Sequence, residues 1–124
     1  MNETTTFSLD DGDLVVSDPA TGNTRWRGRP QGARVADVKV VPGEDSAVVL
    51  LDYMTQPYGP FPNLLRVSKD GAVVWTADLP TASSTDTYVS FDVDQGEVHA
   101  NSWSGYAVDI DIHSGAVRGK SFAK

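Results

Sequence analysis

Apolar and polar residues alternate with a period of two along much of this chain. Tyr106, Val108, Ile110 and Ile112 are separated by Ala107, Asp109 and Asp111, and Val89, Phe91 and Val93 by Ser90 and Asp92, with Asp94 following. Successive side chains of an extended chain point to opposite faces, so each set lines one face of a strand. A helix needs apolar positions three and four residues apart over about ten residues. Eleven glycines and seven prolines interrupt the chain too often for that. The pattern predicts strands near 4–9, 13–18, 23–28, 33–41, 46–53, 63–68, 72–79, 87–94, 97–103, 106–112 and 116–122. Eleven strands and almost no helix make the chain all-β, an antiparallel meander.

Two stretches depart from strict alternation. Ala47-Val48-Val49-Leu50-Leu51 and Ala72-Val73-Val74-Trp75 are apolar at every position, as a sheet covered on both faces requires. In the last third, Val89, Phe91, Val98, Val108 and Ile110 take one face, while Asp92, Asp94, Asp109 and Asp111 take the other. A middle layer buried on both sides, with outer layers wet on one side each, is therefore expected.

Aligning the turns exposes a repeat. Leu14-Val15-Val16-Ser17-Asp18-Pro19-Ala20-Thr21-Gly22-Asn23-Thr24-Arg25-Trp26 matches Leu64-Leu65-Arg66-Val67-Ser68-Lys69-Asp70-Gly71-Ala72-Val73-Val74-Trp75, and more weakly Val108 to Gly119. The spacing is 49 positions from Gly22 to Gly71 and 44 from Gly71 to Gly115. Each copy reads as a strand, a turn closed by glycine, and a second strand with tryptophan four residues after that glycine; the last copy has Gly119 in place of the tryptophan. Four short strands at this pitch are what propeller blades show.

The segments SDPATGNTRW and SKDGAVVW resemble the blade signature of PQQ-like repeat proteins. The resemblance covers most of the chain and concerns the fold. It implies a propeller-like blade repeated along the chain; quinoprotein dehydrogenases of that superfamily close a ring of blades around their cofactor. This chain has too few blades for such a ring, and no PQQ-binding residue carries over, so no cofactor is expected. The chain reads as a single domain, 1–124, of blade-like units 1–30, 31–79 and 80–124, the first with three strands and the others with four. Known propellers use at least about four blades. The alternatives are an open stack of three sheets, two chains joined into a ring, or a conventional barrel or sandwich. The acidic outer face of the last unit favours the open stack and a monomer over a homodimer.

Composition narrows the partners. Seventeen acidic against ten basic residues leave a formal charge of −7, which disfavours nucleic acid and anionic membranes and suits a basic protein partner. No apolar run long enough to span a bilayer occurs, and Met1 to Thr6 carries neither a basic nor an apolar leader segment, so a cytoplasmic protein is expected. With no cysteine there are no disulfides, thiolate metal sites or cysteine nucleophiles.

The candidate site follows from the meander. Connections between second and third strands of each unit share one end of the molecule: Asp10 to Asp13, the segment Asp52 to Asn63, and Ser102 to Gly105. The middle one is longer and carries Tyr53, Tyr58, Phe61 and three prolines. A lengthened loop in one repeat either caps the core or binds something. In the first case Tyr53, Tyr58 and Phe61 fold over the core beside Trp103. In the second Tyr58, Phe61 and Trp103 form a contact surface rimmed by Arg29 and Arg34 of the basic stretch Arg27 to Arg34.

Signals for chemistry are faint. His99 and His113 read as surface residues, the Asp-rich stretches 92–97 and 109–115 lack the ligand pattern of a calcium loop, and no nucleophile-elbow, zinc-protease, phosphate-loop or dinucleotide motif is present. No catalytic residue and no metal site is assigned. Trp26 and Trp75, recurring at one place in the repeat, read as core anchors. The expected function is a non-enzymatic protein-interaction module, an acidic protein of the immunity or inhibitor kind. The alternative is a small-ligand or carbohydrate-binding module that stacks a ring on the loop aromatics.

Overall fold

The structure is a computed structural model describing residues 5–55 and 60–122. Its strands are β1 (Thr6–Asp10), β2 (Asp13–Ser17), β3 (Thr24–Gly28), β4 (Val35–Val40), β5 (Ser46–Leu51), β6 (Leu64–Ser68), β7 (Val73–Thr76), β8 (Tyr88–Asp94), β9 (Glu97–Ser102), β10 (Tyr106–Asp111) and β11 (Val117–Phe122). They form three antiparallel sheets in meander order, β1-β2-β3, β4-β5-β6-β7 and β8-β9-β10-β11, none closed on itself. Among the described residues there is no α-helix; short 3-10 turns occur at Pro30–Gly32 and Tyr53–Thr55. The eleven strands and the open stack agree with the expectation from periodicity.

The middle sheet is buried on both faces because its central strands are apolar at successive positions. Val48, Leu50 and Leu64 point to the third sheet and pack with Tyr88, Phe91, Val98, Ala100, Val108 and Ile110. Ala47, Val49, Leu51, Leu65 and Val67 point to the first and pack with Phe7, Leu14 and Val16. All six residues of β5 are buried. On the outer face of the third sheet Asp92, His99 and Asp109 lie side by side across three strands, solvated as their charges require.

Two details differ from the alternation. In β7, Val73 and Val74 are exposed and only Trp75 is buried. The strand lies at the edge of its sheet, and Trp75 alone of the three reaches across to the third sheet. A bulge between Tyr88 and Ser90 places two residues of β8 against one of β9. It turns Val89 out to solvent while Tyr88 and Phe91 stay in the core.

The recurring tryptophans tie each sheet to the next. Trp75 is buried, and its indole Nε1 donates to the Ile112 carbonyl at 2.8 Å. Its ring covers the turn glycine of the third unit, where a Cβ on Gly115 would come 2.7 Å from Trp75 Cδ2. Trp26, partly buried, sits in the same way on Gly71, the turn glycine of the second unit. Both glycines have positive φ, 80° at Gly71 and 77° at Gly115, so conformation and space both demand glycine there. Gly22, the equivalent residue of the first unit, has nothing within 4 Å of such a Cβ.

A buried cation adds a second link at the same place. Arg66 projects from β6 towards the third sheet and donates to Ser46 Oγ, the Ile112 carbonyl and Glu44 Oε1, each at 2.9 Å. A guanidinium is kept out of water at tolerable cost only when its donors are used and a counter-charge is near, and both conditions hold.

Candidate functional site

The described parts of the three second-to-third connections, residues 11–12, 52–55 with 60–63, and 103–105, lie at one end of the stack: the Tyr53 ring meets Trp103, and Arg34 accepts the Asp52 amide on its carbonyl while its side chain reaches the Asp11 carbonyl. The local order of that end comes from two buried polar residues. Asn63 is fully buried; its Nδ2 donates to the carbonyls of Leu51 and Tyr88, and its Oδ1 accepts the Tyr88 amide, each at 2.8 Å. One side-chain amide thus satisfies backbone groups of two sheets that have no partner of their own there. The Asp86 carboxylate, also fully buried, accepts from Thr81 Oγ1 at 2.6 Å, Ser104 Oγ at 3.1 Å, and the amides of Ser104 and Thr87 at 3.2 and 3.0 Å. The Trp103 amide donates to the Thr87 carbonyl at 2.8 Å. The turn 102–105 is therefore fixed from beneath.

That anchorage leaves the Trp103 side chain outside. It is 60% exposed and meets the Tyr53 ring at a centroid separation of 6.2 Å and a tilt of 37°. Tyr53 begins the 3-10 turn after β5, and the Asp52 side chain caps that turn by accepting the Met54 amide at 2.9 Å. Met54 beside it is 65% exposed. Tyr53 and Trp103 form an exposed aromatic pair, with Met54 next to Tyr53 in the same turn.

The predicted site residues separate. Phe61 is buried: its amide donates to the Asp86 carbonyl at 3.0 Å, its carbonyl accepts from Thr87 Oγ1 at 3.0 Å, and its ring packs in the core between the first and second sheets. It caps the core and is not on the contact surface. Tyr58 lies outside the described residues. Trp103 is exposed at the loop end. Arg29 Nε donates to Asp13 Oδ1 at 2.7 Å and its Nη2 to the Asp11 carbonyl at 3.0 Å, while Arg34 lies 3.8 Å from the Asp11 carboxylate and reaches the Asp11 carbonyl. Arg27 joins them through Asp10 and Asp13, each at 2.9 Å. The hydrogen bonds from Arg29 and then Arg27 hold the Asp13 carboxyl below the usual carboxylate range, against a smaller opposing effect of desolvation. The arginines are therefore engaged with acidic residues of the first hairpin, and Trp103 has the Tyr53 ring as its neighbour.

Sequence reasoning missed Asp86, Asn63 and Arg66. A Ser/Thr-rich loop containing one Asp reads as solvated, and nothing local marks Asn63 as a bridge between layers. His99 Nδ1 lies 2.7 Å from Asp109 Oδ1 on the outer face of the third sheet, an exposed pair. Among the described residues there is no group of three or more His, Asp or Glu placed to hold a metal ion.

Comparison with known proteins gives a family and a fold. The model of a family described as a domain of unknown function, DUF7957, matches residues 32–122, which takes in the second and third sheets. No curated protein matches. Among solved structures, the computationally designed Ika4 protein is similar at a TM-score of 0.64 and 14% identity, covering 98% of this chain and 72% of that one. The designed Ika8 protein gives 0.63 and 14%, covering 98% of this chain and 36% of that one. BamB from Moraxella catarrhalis, a β-propeller of PQQ-like repeats, gives 0.62 and 18%, covering 95% and 32%. The chain thus spans about a third of the length of Ika8 and of BamB. At these identities the likeness is one of fold, and it shows the PQQ-like blade resemblance.

Proposed function

We propose that this chain, which belongs to the DUF7957 family of domains of unknown function, is a non-enzymatic protein-interaction module that binds through its loop end. The observation carrying this reading is the exposed Tyr53–Trp103 pair beside Met54, held on turns that are fixed from below. Tryptophan, tyrosine and methionine are enriched at interfaces, and an aromatic that is already rigid loses little entropy on binding. A net charge of −7 favours a basic partner by steering encounter and suits an inhibitor of the immunity type. Catalysis finds little support, since the His99–Asp109 pair is exposed on a flat sheet face.

The test is capture of partners from a lysate on immobilised chain, alongside Trp103→Ala. The expected result is a basic protein retained at low salt, released as salt rises, and bound at least about 30-fold more weakly by the variant, the size of a central aromatic contact. Equal retention by the two chains overturns the placement of the surface. A ligand-binding reading rests on the same open indole face: a sugar stacking there would quench tryptophan fluorescence, and the quenching would vanish in Trp103→Ala.

A further inference from the structure

Cations lie on aromatic rings at two places in this molecule, and the ring best suited to one carries none. Lys39 sits over the Phe91 ring at 5.5 Å and Lys120 over the Tyr106 ring at 5.3 Å. An indole attracts a cation more strongly than a phenyl or phenol ring does. Among the described residues, however, no lysine or arginine lies over Trp103, which is 60% exposed beside Tyr53.

The carboxylates attached to this pair are also without a cation. Asp52, next to Tyr53 in the chain, accepts the Met54 amide at 2.9 Å, and Asp86 accepts the amide of Ser104, the residue after Trp103, at 3.2 Å. Neither makes an ion pair among the described residues, whereas Asp10, Asp11 and Asp13 at the same end are matched by Arg27, Arg34 and Arg29. Arg34, whose carbonyl accepts the Asp52 amide, has its guanidinium at Asp11, and Lys120 donates to the Pro80 carbonyl. The loop itself adds no cation, since residues 55–59 contain no charged side chain. Asp86 is fully buried, and a charge in a low-dielectric interior is felt beyond its own hydrogen bonds.

We propose that the Tyr53–Trp103 pair seats an arginine side chain of the basic partner, stacked on the open face of the indole with Asp52 as its counter-charge. Such a seat presupposes that the loop end is the binding surface, and it adds what the partner places there. Ring spacing decides how the cation is held. A planar group between two rings needs van der Waals contact on both faces, about 7 Å from ring to ring. These centroids are 6.2 Å apart at a tilt of 37°. The occupant therefore lies on the outside of the pair, against one ring face, and stays in contact with water on its other side. That favours a guanidinium over an ammonium. The guanidinium is flat, stacks on an aromatic face and is weakly hydrated, whereas an ammonium must give up a tightly held water shell.

The test titrates the full chain, isotopically labelled, with a capped glycine-serine peptide carrying one central arginine, and with the same peptide carrying lysine or citrulline, the neutral isostere of arginine. The arginine peptide should shift the indole resonances of Trp103 and the ring resonances of Tyr53. The citrulline peptide should bind about tenfold more weakly, having lost both the ring and the carboxylate attraction, and the lysine peptide should fall between. Asp52→Asn still caps the Met54 amide and should weaken arginine binding about threefold, a difference that disappears at high salt. Trp103→Ala should remove the shifts at Tyr53 while the amides of β9 and β10 stay in place, showing that the turn remains folded. Equal binding of the arginine and citrulline peptides, shifts at Asp92 and Asp94 on the outer face of the third sheet in place of Trp103, or no Trp103 shift at tens of millimolar arginine peptide would each overturn the proposal. If a protein captured from a lysate still depended on Trp103 in those cases, the loop end would stand as the binding surface and only its cationic occupant would fall. Loss of both would overturn the surface itself.

Discussion

Tyr88 concentrates several of the forces that hold the two larger sheets together. Its side chain is fully buried, its hydroxyl donates to the Asp78 carbonyl at 2.6 Å, and its backbone is bridged to β5 by Asn63. Burial, with the nearby Asp86 and Asp78 charges adding to it, raises the phenol well above its ordinary value. In the unfolded chain the phenol ionises near pH 10. Folding stability from this group is therefore complete below about pH 10 and is lost as pH rises from there towards the folded value, because the unfolded state alone releases its proton. Tyr88→Phe should cost about 1 kcal/mol at neutral pH for the lost hydrogen bond and should flatten the alkaline fall in stability. Denaturant titrations at pH 7 and above pH 10 check both. A variant whose stability fell with alkali as steeply as the native chain's would show that the phenol is not the titrating group. None of this was legible in the sequence: alternation marked the residue after Tyr88 as the inward one, and only the bulge reverses them.

At the scale of the element, the alternation and the repeat carried most of the information. Both are properties of the backbone period and need no tertiary contact to be seen. What they could not show was where a strand lies within its sheet. Val73 and Val74 read as buried and are exposed, because β7 is an edge strand. The loop 52–63 divides in a similar way: Phe61 went to the core through backbone pairing with residues 86 and 87, while Tyr53 stayed outside against Trp103. No local pattern distinguishes these two aromatics. The turn glycines show how the repeat works physically, and their substitutions should not be equal. Gly22→Ala meets open space and should cost about 1 kcal/mol, the strain of a positive φ alone. Gly71→Ala and Gly115→Ala add a collision with Trp26 and Trp75 and should cost about 3 kcal/mol or more, since a displaced tryptophan loses its packing. Denaturant midpoints of the three variants measure the order, and equal losses would mean that the indoles do not dock on these turns.

Across the whole molecule the two seams between sheets differ in kind. Between the second and third sheets, Arg66 and Trp75 both donate to the Ile112 carbonyl, Asn63 joins Leu51 to Tyr88, and the tryptophan is buried. Between the first and second, the Val35 amide donates to the Gly12 carbonyl at 2.8 Å and the Thr5 amide to Asp45 Oδ1 at 3.4 Å, but the ion pairs are exposed. They are Arg25–Asp70 at 3.0 Å and Arg34–Asp11 at 3.8 Å. Trp26 is only partly buried and Leu9 and Val40 are uncovered. Exposed ion pairs contribute about 0–1 kcal/mol, and buried hydrogen bonds to charged groups about 1.5–3. The first sheet should therefore open by itself before the rest unfolds. In native-state hydrogen exchange, amides of β2 should exchange through an opening of lower free energy than those of β9 and β10, and should merge with them only near the global transition. A single opening free energy shared by all three sheets from the outset would contradict the difference between the seams.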